Sequence, residues 1–242
     1  MTAIIEMYIK TNGGIYMKTK NVLIVSSLLI VLFVGLVWFN QSQKSAQLEG
    51  LPNYTEIKGT IQTTLNYDKQ PYMGLDDAKV KVVLFGDYKC PACKNWEIEN
   101  FDKFKQTYVD TGIVKLYYMN YAFIDRDSIM AASAGEAIAK QSNDSFWQFH
   151  RKLFENQGDE TKVWATPDFL LEFVKENVTG IDYDKFKKDL LEHTYMLEVK
   201  EDYKVAGALG VNGSPKFLVN GALMPSSNYE ELVAVINQEH SK

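Results

Sequence analysis

The sequence predicts an α/β fold with a long all-helical block set into it and a single transmembrane helix in front. Three observations predict this. An uncharged apolar run lies near the N-terminus, a strand–helix–strand unit begins near residue 80, and two short strands and a helix close the chain after a long strand-free stretch. The expected parts are a cytoplasmic segment (1–20), a transmembrane anchor or signal sequence (21–40), and a linker with an N-terminal strand (41–70). The first half of the α/β domain (71–125), a helical insertion (126–210) and the second half of the domain (211–242) follow.

Val22 to Phe39 carries no charge. With Asn21 and Asn40 it reaches the roughly 20 residues that cross a ~30 Å hydrocarbon core. Lys18 and Lys20 precede it, so the positive-inside rule sets the N-terminus in the cytoplasm and residues 41–242 outside. Trp38 and Phe39 fall where an interfacial aromatic belt is expected. A cleaved signal peptide is the rival reading. The run is longer than a typical signal core and no Ala-x-Ala site follows it, so an uncleaved anchor is favoured. Met17-Lys18-Thr19-Lys20 reads as a more natural start than Met1. Residues 41–50 read as a polar tether, and residues 54–66 alternate enough for a short strand or two.

Val80 to Phe85 is β-branched and nearly all apolar, as a central buried strand is. Gly86 and Asp87 end it. From Pro91 to Tyr108, Trp96, Ile98, Phe101, Phe104 and Tyr108 recur at helical steps, and Val114 to Met119 forms the second strand. Strand, helix, strand at this length is a βαβ unit with a parallel pair. The block that follows holds helices over 129–140, 144–156, from Thr166-Pro167 onward, 183–191 and 194–208. Pro215 to Val219, the turn dipeptide Asn220-Gly221 and Ala222 to Met224 make a hairpin, and Tyr229 to Glu239 the closing helix.

The chain has 242 residues, 46% of them hydrophobic, which is enough for a sizeable core. Its net charge of −5 offers no basic surplus for nucleic acid. It has two cysteines, in Cys90-Pro91-Ala92-Cys93. A disulfide there closes a tiny loop and removes little unfolded-state entropy, so stabilisation is a poor reason for it. Redox exchange, half of a metal site and two ordinary buried cysteines are the remaining readings. Zinc needs four ligands, no second CxxC exists, and His150, His193 and His240 are scattered. His150, on an apolar helix, is expected to be a packed histidine. Asp182-Tyr183-Asp184 and Asp76-Asp77 could supply oxygen to calcium, but solvated caps and turns are the favoured reading and no ligand is assigned.

Cys90 sits just before a helix, where unpaired N–H groups and the macrodipole stabilise an anion. Pro91 suits the first helical turn. Thiolate is the nucleophile, so Cys90 is expected to be the exposed attacking thiol and Cys93, one turn inside, the resolving thiol. Lys89 and Lys94 flank the pair as further stabilising charges. Trp96, Tyr88 and the Ser214-Pro215 turn are candidate walls of a groove for extended peptide, with core packing favoured for Trp96. Outside the membrane, thiols meet an oxidising environment.

Phe85-Gly86-Asp87-Tyr88-Lys89 running into Cys90-Pro91-Ala92-Cys93, with Gly74-Leu75-Asp76-Asp77-Ala78 before it, resembles the DsbA family of thioredoxin-fold oxidoreductases. So do Asp144-Ser145-Phe146-Trp147-Gln148-Phe149-His150 and the late Ser214-Pro215. The similarity covers about residues 70–240 and is greatest to the membrane-anchored Gram-positive BdbD branch. It implies a thioredoxin fold with an inserted helical domain, and a cis Ser214-Pro215 bond beside Cys90. Catalysis would rest on Cys90, Cys93 and Pro215, with Ser214, Pro91 and Ala92 contacting substrate. The redox-active Cys90–Cys93 disulfide would need no cofactor. Unfolded exported proteins would be the substrates, a DsbB-like quinone-linked membrane protein the reoxidant, and the chain a monomer.

The sequence departs from the family pattern twice. Many members have His where Ala92 stands, and many have a buried acid where Leu84 stands. The first loss destabilises the thiolate and the second removes a repulsive charge. A reductase or isomerase with the same site, and an anchored binding module with an inert disulfide, are the alternative functions.

Overall fold

The computed structural model describes residues 19–242, so the cytoplasmic reading of residues 1–18, Lys18 and the Met17 start included, lies outside the described residues. The chain falls into two units that divide after Glu49. The first contains helix α1 (Thr19–Leu48). Its stretch Ile24–Gln43 is long and apolar enough to cross a membrane, and none of that window is buried in protein. Side chains apolar on every face with no core to join suit lipid. The expected tether over 41–50 is instead helical through Leu48. No Gly or Pro interrupts it until Gly50, which takes a left-handed φ of 81°.

The second unit is built on a five-stranded sheet in the order β1-β3-β2-β4-β5. The strands are β1 (Tyr72–Met73), β2 (Val80–Gly86), β3 (Val114–Asn120), β4 (Lys216–Val219) and β5 (Ala222–Leu223). β2 and β3 are parallel, with Val80 opposite Val114 and Gly86 opposite Asn120. β4 runs antiparallel to β2, pairing Phe217 with Leu84. Asn220 and Gly221 take φ of 47° and 85°, the two positive values that a two-residue hairpin turn demands.

Between β2 and β3 lies α2 (residues 91–109), α-helical at Pro91–Trp96 and Asp102–Phe104 and wound as π-helix at Glu97–Phe101 and Lys105–Val109. Then come α3 (Arg126–Ala139), α4 (Asn143–Glu155), α5 (Pro167–Asn177), α6 (Tyr183–Leu191), α7 (Met196–Ala208) and, after the hairpin, α8 (Tyr229–His240). Most starts carry a side-chain cap: Asp125 and Ser128 form a capping box on α3, and Ser142, Thr166, Asp182 and Asn228 cap α4, α5, α6 and α8. The Asp125 box explains why α3 begins before the expected Ile129.

Side chains alternate across the sheet. Val83, Phe85, Tyr117, Met119 and Leu218 pack with Val205 and Ala206 of α7 on one face. Leu84 and Phe217 face the other, where Trp96 of α2 lies 5.0 Å from the Phe217 ring. This βαβ–ββα order is that of a thioredoxin fold, with α3–α7 inserted.

One strand expectation is corrected, and one strand was not expected. Residues 54–66 form no strand; side chains tie them down, with Tyr54 Oη donating to the Ala122 carbonyl at 2.9 Å and its ring stacked on Tyr203. The sheet edge they would need is occupied by β1, a two-residue strand too short to show a period.

Candidate active site

Gly86 is the last residue of β2, and a side chain there would strike the Tyr118 ring at 2.8 Å. The chain then turns: Cys90 N–H donates to the Asp87 carbonyl at 3.0 Å, and Lys94 N–H donates to the Cys90 carbonyl at 3.1 Å. Cys90 is thus the N-cap of α2, extended at φ −75°, ψ 117°, with Pro91 at the first helical position. Both cysteines are free thiols. Across from them the Ser214-Pro215 peptide bond is cis, and the Cys90 thiol donates to the Ser214 carbonyl oxygen at 3.4 Å.

The two sulfurs titrate in opposite directions. Cys90 is lowered from the ordinary thiol value to about 6. The Cys93 thiol donating to it is the largest cause, followed by the Ser214 hydroxyl and the N–H groups of Cys93 and Ala92, against the opposing effect of burial. Cys93 is pushed well above the ordinary value, first by burial and then by Cys90 beside it. One helix terminus therefore holds a thiolate beside a thiol.

Several sequence expectations need correction. Cys90 is only 6% exposed, not an open thiol, because Cys93 and the Ser214-Pro215 turn cover it. Lys89 does not serve the sulfur. Its ammonium is fully buried and pairs with Asp127 at 2.6 Å, and it also donates to the Lys162 carbonyl at 2.9 Å. Asp127 accepts in addition from the N–H groups of Trp164 and Ala165. Lys94 reaches the Gln157 carbonyl at 3.5 Å. Tyr88 is core rather than groove wall, since α4 covers it with Phe149, His150 and Phe154. Trp96 is likewise packed, against Phe101, Phe104 and Phe217.

Asp87 faces inward and organises the loop. One oxygen accepts from Lys89 N–H, the other from the N–H groups of Phe123 and Ile124, and burial raises its pKa against those bonds. His150 is packed, yet not among apolar atoms alone: its ring nitrogens meet Tyr88 Oη at 3.2 Å and Glu97 Oε1 at 3.0 Å. Leu84, in place of an acid, is buried on the α2 face of the sheet.

Sequence reasoning missed Gln157, whose side-chain amide donates to the carbonyls of Tyr88 at 2.8 Å and Cys90 at 3.0 Å. Nothing in a loop glutamine marks it. It also missed a second buried polar cluster. Asn120 donates to Glu136 at 2.9 Å and Gln70 to Asp202 at 2.9 Å. Burial raises both carboxyls, and Asp202 raises Glu136 further. The Gln70 and Asn120 side-chain oxygens there have no hydrogen-bond partner. Glu136 is the one acid within Ile129-Met130-Ala131-Ala132-Ser133-Ala134-Gly135-Glu136-Ala137-Ile138, a signal that could have found it. Of the acids singled out for calcium, Asp182 caps α6 and Asp76 pairs with Lys115. Among the described residues no group of three or more His, Cys, Asp or Glu is placed to share a metal ion.

Comparison with known proteins agrees with this geometry. The family model described as Thioredoxin matches residues 66–238. The chain is 43% identical over 176 residues to the probable disulfide bond formation protein D of Bacillus cereus, covering 73% of this chain and 81% of that protein. It is 37% identical over 171 residues to the disulfide bond formation protein D of Bacillus subtilis, covering 70% and 77%. The crystal structure of oxidised BdbD from Bacillus subtilis superposes with a TM-score of 0.69 at 33% identity, over 76% of this chain and all of that one. The Chlamydia trachomatis DsbA structure, 22% identical with a TM-score of 0.66, shares the fold, over 75% and 96% of the two chains. The chain belongs to the thioredoxin family, as a DsbA-type thiol–disulfide oxidoreductase whose relatives are the Bacillus disulfide bond formation proteins.

Proposed function

We propose that this oxidoreductase runs in the oxidising direction on exported proteins, at the outer face of a cell membrane in which α1 is an uncleaved, single-pass anchor. The observation that carries the reading is the placement of Cys90 at the N-cap of α2 with Cys93 buried one turn inside, which lowers the Cys90 thiol and raises that of Cys93. A substrate thiolate attacks Sγ of Cys90, the Cys90–Cys93 bond breaks, and Cys93 leaves and takes up a proton. The second substrate thiolate then attacks its partner sulfur, and Cys90 departs as thiolate. Substrate has lost two electrons and the enzyme has gained them. A stabilised Cys90 thiolate is the better leaving group and favours release of oxidised substrate.

Roles follow from position. Cys90 is the exchanging sulfur, attacked by substrate when oxidised and nucleophilic when reduced, Cys93 is the resolving thiol, and Pro215 presents the strand edge beside Cys90. Ser214, Pro91 and Ala92 contact the substrate backbone. The thioredoxin parts, 71–125 and 211–242, carry the chemistry, and the insertion, 126–210, walls the site. A quinone-linked membrane oxidoreductase takes the electrons onward, and the enzyme acts as a monomer. The test is to mix the oxidised full chain with a reduced, unfolded protein holding two cysteines. Stoichiometric disulfide in that protein supports the oxidase, and a pair that stays oxidised in excess glutathione contradicts it.

Calcium, if held, has one donor set that suits it. Glu136 and Asp202 bring two carboxylates, and the unpartnered oxygens of Gln70 and Asn120 bring two neutral donors, a hard oxygen set. Gln70 and Asp202 also line a cavity of about 210 Å3 that gives an ion a path. A cation there would act on stability. Calcium should raise the melting temperature of the chain and leave Asp202→Asn unmoved; an equal rise in both would remove the assignment.

A further inference from the structure

Cys90 and Tyr88 pose a carbonyl problem. A buried carbonyl oxygen needs a donor, and a carbonyl left free next to a thiolate repels it. The carbonyl of Cys90 accepts from Lys94 N–H in the first turn of α2. The carbonyl of Tyr88 precedes the helix and lies outside both the β2 ladder and the α2 ladder. Gln157, one residue past the Asn156 that closes α4, meets both with its side-chain amide nitrogen, at 2.8 and 3.0 Å. Its own carbonyl accepts from Lys94 of the CPAC helix. The loop that carries it is fixed in turn. Gly158 sits where a side chain would meet the Trp164 ring at 2.6 Å. Lys162 gives its carbonyl to Lys89, and Trp164 and Ala165 give their N–H groups to Asp127, the partner of Lys89. The segment 157–165 of the helical insertion thus grips residues 88–90.

We propose that Gln157 is a positioning residue for the nucleophile: it holds the Tyr88 and Cys90 carbonyls in hydrogen bonds of their own and so fixes the backbone that presents the Cys90 sulfur to the N–H groups at the start of α2. Gln157 touches neither substrate nor sulfur. It acts through the orientation of Cys90 and the electrostatics of the two flanking dipoles. A residue that only satisfied two buried carbonyls would alter folding stability and leave the acidity of the thiol where it was. A residue that positions the nucleophile alters both. The inference deepens the thiol-exchange reading and rests on it, but its failure is distinguishable, because the wild-type profile tests the reading by itself.

The experiment is pH-dependent alkylation of the reduced full chain in detergent, followed at Cys90 by mass, on wild type, Gln157→Met and Gln157→Glu. Methionine keeps the length and removes the donors. Glutamate keeps the shape and sets an acceptor-only anion against two carbonyls. Wild type should show a midpoint near 6, as the lowered Cys90 value requires. Gln157→Met should move it up by about half a unit to one unit, and Gln157→Glu by more, with exchange at pH 7 slowed several-fold in both. Midpoints equal to wild type in both variants, with only the melting temperature lowered, would overturn the proposal. If Gln157→Met fails to fold, Gln157→Glu decides by the same readout.

Discussion

Cys90 and Cys93 lie one helical turn apart and share one thiol–thiol contact, yet their surroundings treat a negative charge oppositely. Cys90 stands at the open end of α2, where N–H groups have no helical partner, and its sulfur collects them. Cys93 is inside, 3% exposed, with burial as its dominant influence. The difference teaches that position along the first turn assigns the roles. The terminus makes a leaving group and nucleophile of one cysteine, and the interior makes a protonated reserve of the other.

Removing either sulfur is the harshest way to probe that contrast. Cys90→Ser should abolish disulfide transfer. Cys93→Ala should keep the attack of the Cys90 thiolate on a disulfide-bonded peptide, release one peptide thiol and accumulate the unresolved mixed disulfide, visible by mass; equal loss of both steps in the two variants would break the division of roles.

A smaller but still large effect is expected from the loop that presents the nucleophile. Asp127→Ala leaves the Lys89 ammonium buried and unpaired, and breaking such a pair costs about 3–5 kcal/mol. Chemical denaturation should show a loss of that size, whereas Lys89→Met with Asp127→Leu should recover much of it. A loss under 1 kcal/mol in Asp127→Ala would mean that the pair is not desolvated.

The titration contrast also carries a pH signature. The folded Cys90 value lies below the unfolded one, so the unfolded chain binds more protons between them. Stability of the reduced form should rise from about pH 6 toward the ordinary thiol value of 9.0, and be lost as pH falls through 6. The oxidised form has no such group. Denaturation of both forms across this range checks it: a reduced-minus-oxidised difference flat with pH would contradict the lowered thiol.

The mildest change is Ala92→His, which adds an imidazolium donor beside Cys90. It should lower the alkylation midpoint further, by about half a unit, and make the potential more oxidising. No change would mean that the backbone N–H groups already saturate the thiolate.

Much of this was legible in the residues. The apolar run, the Val80–Phe85 strand, the Asn220-Gly221 hairpin and the CPAC turn each carry a local signal: a length, a period or a dipeptide with one physical meaning. What was not legible depends on tertiary contact. Lys89 read as a charge for the sulfur because sequence shows adjacency, while its partner Asp127 comes from the start of α3. Tyr88 read as a groove wall because the packing of α4 over it is a contact distant in sequence. Gln157 has no local mark at all. Residues 54–66 have strand-like alternation, but the edge they would pair with was already taken.

The most direct measurement is the reduction potential of the full chain in detergent, from equilibration with glutathione at pH 7. A thiolate stabilised at Cys90 favours the reduced form, so the pair should be clearly more oxidising than thioredoxin, which lies near about −270 mV. A potential at or below that value would contradict the account and assign the same site to a reductase.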